Sequence, residues 1–317
     1  MIAAAELATL LGLHEPTDEQ AAVIGSPLEP AVVIAGAGSG KTETMAARVV
    51  WLVANRLVEP EAVLGLTFTR KAAAELGRRI RRRLAQWRYV VERDTPEDVE
   101  LLARLRAGEP TVSTYAAYAG RLVGEHALRL GAEPDARLLS PAQCWQLADS
   151  VVRSHTGSLP ADIGTPGSLV GWVLAMAGQF ADHLVTPAQV EEFCTAALAA
   201  VQAVLGAGKR IMTGPGAEVG SAGAHRQALV ALVEKFAAAK AAVPAVDFGD
   251  QMALAARLAA LDEVRTAERN RYHAVLLDEY QDTGHAQVEL LHGLFGAGHP
   301  VTAVGDPLQS IYGWRGA

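Results

Sequence analysis

"AVVIAGAGSGKT", Ala31–Thr42, decides the fold. Its first residues are apolar and mostly β-branched, the pattern of a buried strand. Six small residues follow: Ala35, Gly36, Ala37, Gly38, Ser39 and Gly40. Lys41 and Thr42 then open a helix. Strand, glycine-rich turn and helix form the setting that a phosphate-binding loop requires. Small residues let the backbone curl until its N–H groups face a phosphate. The helix N-terminus adds a partial positive charge. Lys41 is placed to reach the outer phosphates, and Thr42 to hold Mg²⁺. The loop begins on Ala35 where the strict pattern has glycine. A bare glycine-rich turn with no ligand is the competing reading, and it leaves the complete Gly40-Lys41-Thr42 unexplained.

Such a loop needs a carboxylate at the end of a second strand. "LLDEYQDT", Leu276–Thr283, supplies one. Asp278 follows an apolar run and can hold Mg²⁺ through water. Glu279 beside it can orient and deprotonate an attacking water. The pair suits metal-assisted hydrolysis of a phosphoanhydride, with ATP as nucleotide. Alone, two acids in sequence would read as a solvated turn. Behind a buried strand and with a phosphate loop in the same chain, they read as catalytic. Some 237 positions separate Lys41 from Asp278, a gap that an inserted domain explains.

Further short apolar runs fit buried parallel strands: Ala62–Phe68, Thr111–Tyr115, Ala274–Asp278 and Val301–Val304. Helical stretches separate the early ones. The fold class expected is α/β, a P-loop (RecA-like) parallel sheet with helices on both faces. Between about Ser140 and Val246 no strand is expected, and alanine and leucine dominate. This predicts an inserted all-helical subdomain over 140–245, with 1–139 and 246–317 as the two parts of the α/β domain. Gly206–Gly223 reads as a loop of low complexity, and Arg88–Pro110 as a polar surface excursion.

Composition narrows the class. Half of the 317 residues are apolar, 5% are aromatic and the net charge is −7. Nothing in that balance attracts a polyanion in bulk, so any DNA site is a local patch. Two cysteines, Cys144 and Cys194, make neither a disulfide framework nor a metal site. The N-terminus lacks a basic segment and carries Glu6, which argues against a signal peptide. The apolar stretch around Trp172 is too short to span a bilayer. The expectation is a cytoplasmic protein with no membrane partner.

The motifs in order resemble those of superfamily-one DNA helicases of the UvrD/Rep/PcrA and RecB type. "PTDEQAAVI", Pro16–Ile24, is similar to the family's Q motif, which makes Gln20 the adenine reader. "GLTFTRKAAAEL", Gly65–Leu76, resembles motif Ia, and "TYAAYAGRL", Thr114–Leu122, motif Ib. "DFGDQM", Asp247–Met252, resembles the segment before motif II, LLDEYQDT. "VGDPLQSIYGWRGA", Val304–Ala317, resembles motif III. The resemblance implies a γ-phosphate sensor at Gln309. It also implies contacts with single-stranded DNA at Thr67, Phe68, Arg70, Thr114, Tyr115, Tyr312 and Trp314, where aromatic rings stack on bases without regard to sequence. The wording is most similar to the AdnB branch, one subunit of bacterial heterodimeric helicase–nucleases that resect double-strand breaks. That implies an AdnA-like partner subunit. It also implies a second motor domain beyond Ala317, contributing transition-state arginines. The chain is then a first motor domain, weak or inactive alone. The rival function is an ATP-gated DNA clamp whose partner does the work; an intact Glu279 favours the enzyme.

Two positions depart from the family pattern. Glu43 stands where an arginine usually follows GKT and helps hold the base. Ala116 replaces the usual histidine of motif Ib. The run "GRRIRRRLAQWR", Gly77–Arg88, is open to two readings: a solvated helix end, or phosphate contacts along DNA.

Overall fold

The computed structural model describes residues 1–206 and 215–311. Two compact units divide the chain. One comprises Met1–His126 together with the segment from Ala255 onward; the other is Ala127–Leu254.

The first unit carries a five-stranded, all-parallel sheet. Its strands are β1 (Ala31–Ile34), β2 (Val63–Thr67), β3 (Thr111–Thr114), β6 (Ala274–Leu277) and β7 (Val301–Gly305), in the spatial order β1-β7-β6-β2-β3. The central strands are apolar on both faces because helices cover both; β6 and β2 are buried along their whole length. Helices α1 (Ala4–Leu10), α2 (Asp18–Ile24), α3 (Lys41–Ala54), α4 (Arg70–Asp94), α5 (Val99–Ala107), α6 (Tyr115–His126), α12 (Asp262–Arg271) and α13 (His285–Phe295) complete the unit. The apolar face of α3, with Met45, Val49, Val50 and Val53, joins Leu76, Ile80, Leu276 and Val304 in one core.

Parallel strands in register end on one edge. Ile34 lies opposite Gly305, Ala303 opposite Leu277, Leu277 opposite Leu66, and Thr67 opposite Thr114. The residues after these strand ends therefore share one side of the sheet, where open α/β sheets bind ligands.

The second unit contains α7 (Pro141–Arg153), α8 (Pro166–His183), α9 (Pro187–Gly206) and α10 (Pro215–Ala242), with the start of α11 (Phe248–Ala259). Phe236, Leu232, Val170 and Val173 fill its core. Two short strands, β4 (Arg137–Leu138) and β5 (Ala245–Val246), pair in parallel within it. They bring both ends of the unit together and account for limits wider than 140–245. Lys240 is buried and bonds both Asp247 (2.6 Å) and Asp250 (2.5 Å). Burial depresses its ammonium, and the two carboxylates more than reverse that, so its pKa is raised.

Two expectations change. Arg88–Pro110 is no loose excursion: α4 continues to Asp94, and α5 follows with Leu101 and Leu102 buried. The polar residues that dominate the stretch occupy the outer helix faces, masking a 3.6-residue apolar period. The loop expected to reach Gly223 ends earlier, because Pro215 opens α10.

Candidate nucleotide and metal site

The phosphate loop sits between β1 and α3. Gly38 (φ +76°) and Gly40 (φ +79°) hold left-handed backbone that other residues adopt only at a cost, so the curl depends on them. Lys41 donates from Nζ to the Ala35 carbonyl at 3.2 Å. Ser39 Oγ donates to Gly36 O at 2.8 Å. Gln20 caps its own helix, accepting from Thr17 N at 3.1 Å, and its Nε2 donates to Ser39 O at 3.0 Å. The glutamine of α2 is thus tied directly to the loop. Arg48 on α3 is buried and donates to the carbonyls of Val23, Ile24, Ser26 and Pro27, and to Thr302 Oγ1. It fixes the C-terminal end of α2 against α3, where a cation also meets the helix dipole. Sequence reasoning missed Arg48, because an arginine inside an apolar helical run carries no motif.

Asp278 follows β6 and is 5% exposed. Its Oδ1 accepts from Glu279 N at 3.1 Å and its Oδ2 from Thr67 Oγ1 at 3.4 Å. Burial, then the charge of Glu279, push its pKa above the usual carboxylate value; Lys41 opposes them. Asp306 follows β7 and faces the loop, its Oδ2 3.9 Å from where a Cβ on Gly36 would stand. Hydrogen bonds from Gln309 Nε2 and Leu308 N hold the Asp306 carboxyl below its usual value. Asp306 was not among the residues expected from the sequence, although it follows an apolar strand as directly as Asp278 does.

Glu279 adopts left-handed backbone at φ +51°, ψ +41°. Few non-glycine residues do so, and such strain collects at functional sites. Gln281 Nε2 donates to Glu279 Oε2 at 2.8 Å, and Gln281 Oε1 accepts from Asp306 N at 3.0 Å.

The donor set fits a hard divalent cation. Asp278 and Glu279 present carboxylate oxygens, and Thr42 a hydroxyl, at the ends of neighbouring elements. A buried carboxylate whose pKa is raised by its own surroundings is a group that a cation would relieve.

Two cavities of about 450 and 480 Å³ flank Gln20. The first is lined by Leu7, Leu11, His14, Gln20, Glu43 and Arg83, the second by Gln20, Gly36, Ser39, Lys41 and Arg48 among others. Glu43 pairs with Arg79 (2.7 Å) and with the buried Arg83. The departure at Glu43 therefore has a structural counterpart: its carboxylate meets two arginines of α4. The basic run is not a helix end, and its Arg78 and Arg82 are exposed. It lies inside α4, and Arg79, Arg81 and Arg83 all have carboxylate partners.

The residues expected to contact DNA part company. Phe68 is half-buried and Arg70 exposed. Thr67 is 1% exposed, and its hydroxyl is turned to Asp278. Thr114 is buried and caps α6, accepting from Ala117 N at 3.1 Å. Tyr115 is 1% exposed, its ring 5.0 Å from that of Phe68. Burial pushes its phenol well up. Tyr115 supports Phe68 from behind and does not reach a surface. Tyr312 and Trp314 lie outside the described residues.

No helix among the described residues is long and apolar enough to cross a membrane. Outside the site, Glu125, His126 and Glu268 come within metal-ligating range of one another. Arg121 and Arg271 already bond both of these carboxylates.

A phosphate loop, two strand-end acids and a parallel sheet with β1 beside β7 define a P-loop nucleotide-binding domain. The family model for the UvrD/REP helicase N-terminal domain matches residues 16–317, and the chain belongs to that family. It is 24% identical over 306 residues to "ATP-dependent DNA helicase PcrA" of Staphylococcus aureus (strain Mu50), covering 96% of this chain and 35% of that protein. It is 26% identical over 304 residues to "DNA helicase II" of Haemophilus influenzae, covering 95% and 35%. The chain thus spans about a third of the length of these relatives.

Proposed function

We propose that the chain is the first motor domain of an ATP-dependent DNA helicase that couples ATP hydrolysis to movement on single-stranded DNA, in double-strand-break repair. The observation that carries this reading is the meeting of Lys41, Asp278, Glu279 and Asp306 at three adjacent strand ends. The name of one relative, an ATP-dependent DNA helicase, supports the substrate pair, and that of the other, a DNA helicase, supports DNA.

Lys41 leaves the Ala35 carbonyl and bonds the β- and γ-phosphates, neutralising charge where the loop amides converge. The base lies beside Gln20, in the cavity closed by Glu43 and Arg83. Mg²⁺, held by Asp278 and Thr42, would withdraw charge from the phosphate oxygens. Glu279 orients a water and takes its proton as the water oxygen attacks the γ-phosphorus. The bond from that phosphorus to the β–γ bridging oxygen breaks, and its electron pair leaves with ADP. Gln309 senses the γ-phosphate through the loop it shares with Asp306. DNA contact falls to Phe68 and Arg70, with Tyr312 and Trp314 as further stacking rings. The helical unit is read as an insert in the motor domain, and a second motor domain and an AdnA-like subunit as partners.

The test is Glu279→Gln in the full-length protein. ATP binding persists and turnover is lost by roughly 10²- to 10⁴-fold, the usual contribution of a general base. Near-normal steady-state ATPase would sink the assignment.

A further inference from the structure

We propose that Gln281 is a positioning residue for ATP hydrolysis: its amide holds the Glu279 carboxylate and links it to the loop after β7. The inference rests on the proposed hydrolytic role of Glu279 and names a residue that role does not require. Three observations converge on it.

The first is the pair of bonds. Gln281 gives its N–H to Glu279 Oε2 at 2.8 Å and takes the Asp306 N–H on Oε1 at 3.0 Å. One planar amide thus spans the ends of β6 and β7, and both its functional atoms are in use. The second is the backbone of Glu279, held left-handed directly before the short 3-10 turn Tyr280–Asp282 that carries Gln281. A carboxylate on strained backbone needs an outside anchor to keep one direction, and the amide is that anchor. The third is Gly305. A Cβ there would stand 2.5 Å from Gln281 Oε1 and 3.1 Å from Gln281 N. The absence of a side chain at Gly305 is what lets the amide lie against β7.

The next residue, Asp306, bonds Gln309 through its side chain while giving its N–H to Gln281. A shift of the Asp306–Gln309 turn would therefore pull on Gln281 and, through it, on the direction of the Glu279 carboxylate. Both polar atoms of Gln281 are engaged by protein groups at the strand ends, so its effect is expected on turnover more than on binding.

Steady-state ATPase of the full-length protein tests this with Gln281→Ala, Gln281→Glu, Gly305→Ala and the double variant Gln281→Ala/Gly305→Ala. Gln281→Ala lowers kcat by about 10- to 100-fold, the cost of a misplaced catalytic group, while KM for ATP stays within two-fold. Gln281→Glu keeps the shape and the acceptor for Asp306 N but loses the donor, so its kcat also falls. It serves as the second variant if the alanine protein does not fold. Gly305→Ala lowers kcat alone; combined with Gln281→Ala its effect is smaller, because the oxygen at 2.5 Å is gone and only the backbone contact to Gln281 N at 3.1 Å remains. Unchanged kcat in both Gln281 variants, a raised KM at constant kcat, or fully multiplicative effects in the double variant overturn the inference. A wild type without ATPase overturns the proposed function and this with it; an active wild type with unaffected variants overturns only this.

Discussion

Lys41 Nζ lies 3.2 Å from the carbonyl oxygen of Ala35 and donates a hydrogen bond to it, so the lysine is folded back over its own loop. The bond is one that a phosphate can replace with a stronger, charge-assisted one. Nucleotide binding then requires the lysine to swing outward, and the loop is already curled to receive it. Lys41→Ala removes the cation without touching the core. Calorimetric titration with Mg·ATP is expected to show affinity lost beyond detection and an unchanged melting temperature. Unchanged affinity would mean that the loop does not hold phosphate.

Asp278 gives a pH-dependent expectation. Burial and Glu279 raise its pKa in the folded chain above the usual carboxylate value of 3.8. A carboxylate with a raised folded pKa favours folding when protonated. That contribution is complete below the unfolded value and is lost as pH rises through the folded one. Asp278→Asn is therefore expected to raise the melting temperature of the nucleotide-free protein at pH 7, by an amount that shrinks toward pH 4. Thermal melts at the two pH values check it; a gain independent of pH contradicts the stated cause.

Glu43 and Arg79 separate a deep ionic contact from a shallow one. Glu43→Ala leaves Arg83, only 7% exposed at its side chain, without its carboxylate. An unpaired buried charge is costly, and half-exposure of Glu43 reduces the effect, so a loss of about 1–3 kcal/mol is expected in urea unfolding. Arg79→Ala leaves Glu43 paired with Arg83 and is expected to cost under about 1 kcal/mol. Equal losses would show that Arg83 has another partner.

Glu268 offers a sharper case. It is 1% exposed and accepts from Tyr118, Arg121 and Arg271. Glu268→Gln keeps the shape but removes the charge facing two arginines. Arg121 and Arg271 are partly exposed and keep Glu125, so unfolding in urea is expected to show a loss of about 1–3 kcal/mol, below the full range for a broken buried pair. A loss under about 1 kcal/mol would place the stability of this network elsewhere.

What the sequence made legible follows from what each element needs. Ala274–Leu277 was readable as a strand because both faces are buried, so hydrophobicity is unbroken; Ala31–Ile34 carries the same unbroken apolar run at the sheet edge, where Val32 and Ile34 are exposed. The phosphate loop was readable because its backbone geometry demands small residues at fixed places. The burial of Thr67 and Tyr115 was not legible, because a motif records residue types and not the direction of side chains. Arg48 and Gln281 left no signal, since their partners are backbone carbonyls or residues brought near only by strand order. The two-residue strands β4 and β5 were too short for any period to register.

The pairing of the arginines on α4 has a consequence for ionic strength. A guanidinium held by a carboxylate must give up that partner before it neutralises a phosphate, and so adds little to the release of counterions condensed on a nucleic acid. Arg79 and Arg83 are held in this way by Glu43 and Glu75. Affinity for single strands should accordingly fall with added salt less steeply than the number of basic residues between Gly77 and Arg88 suggests.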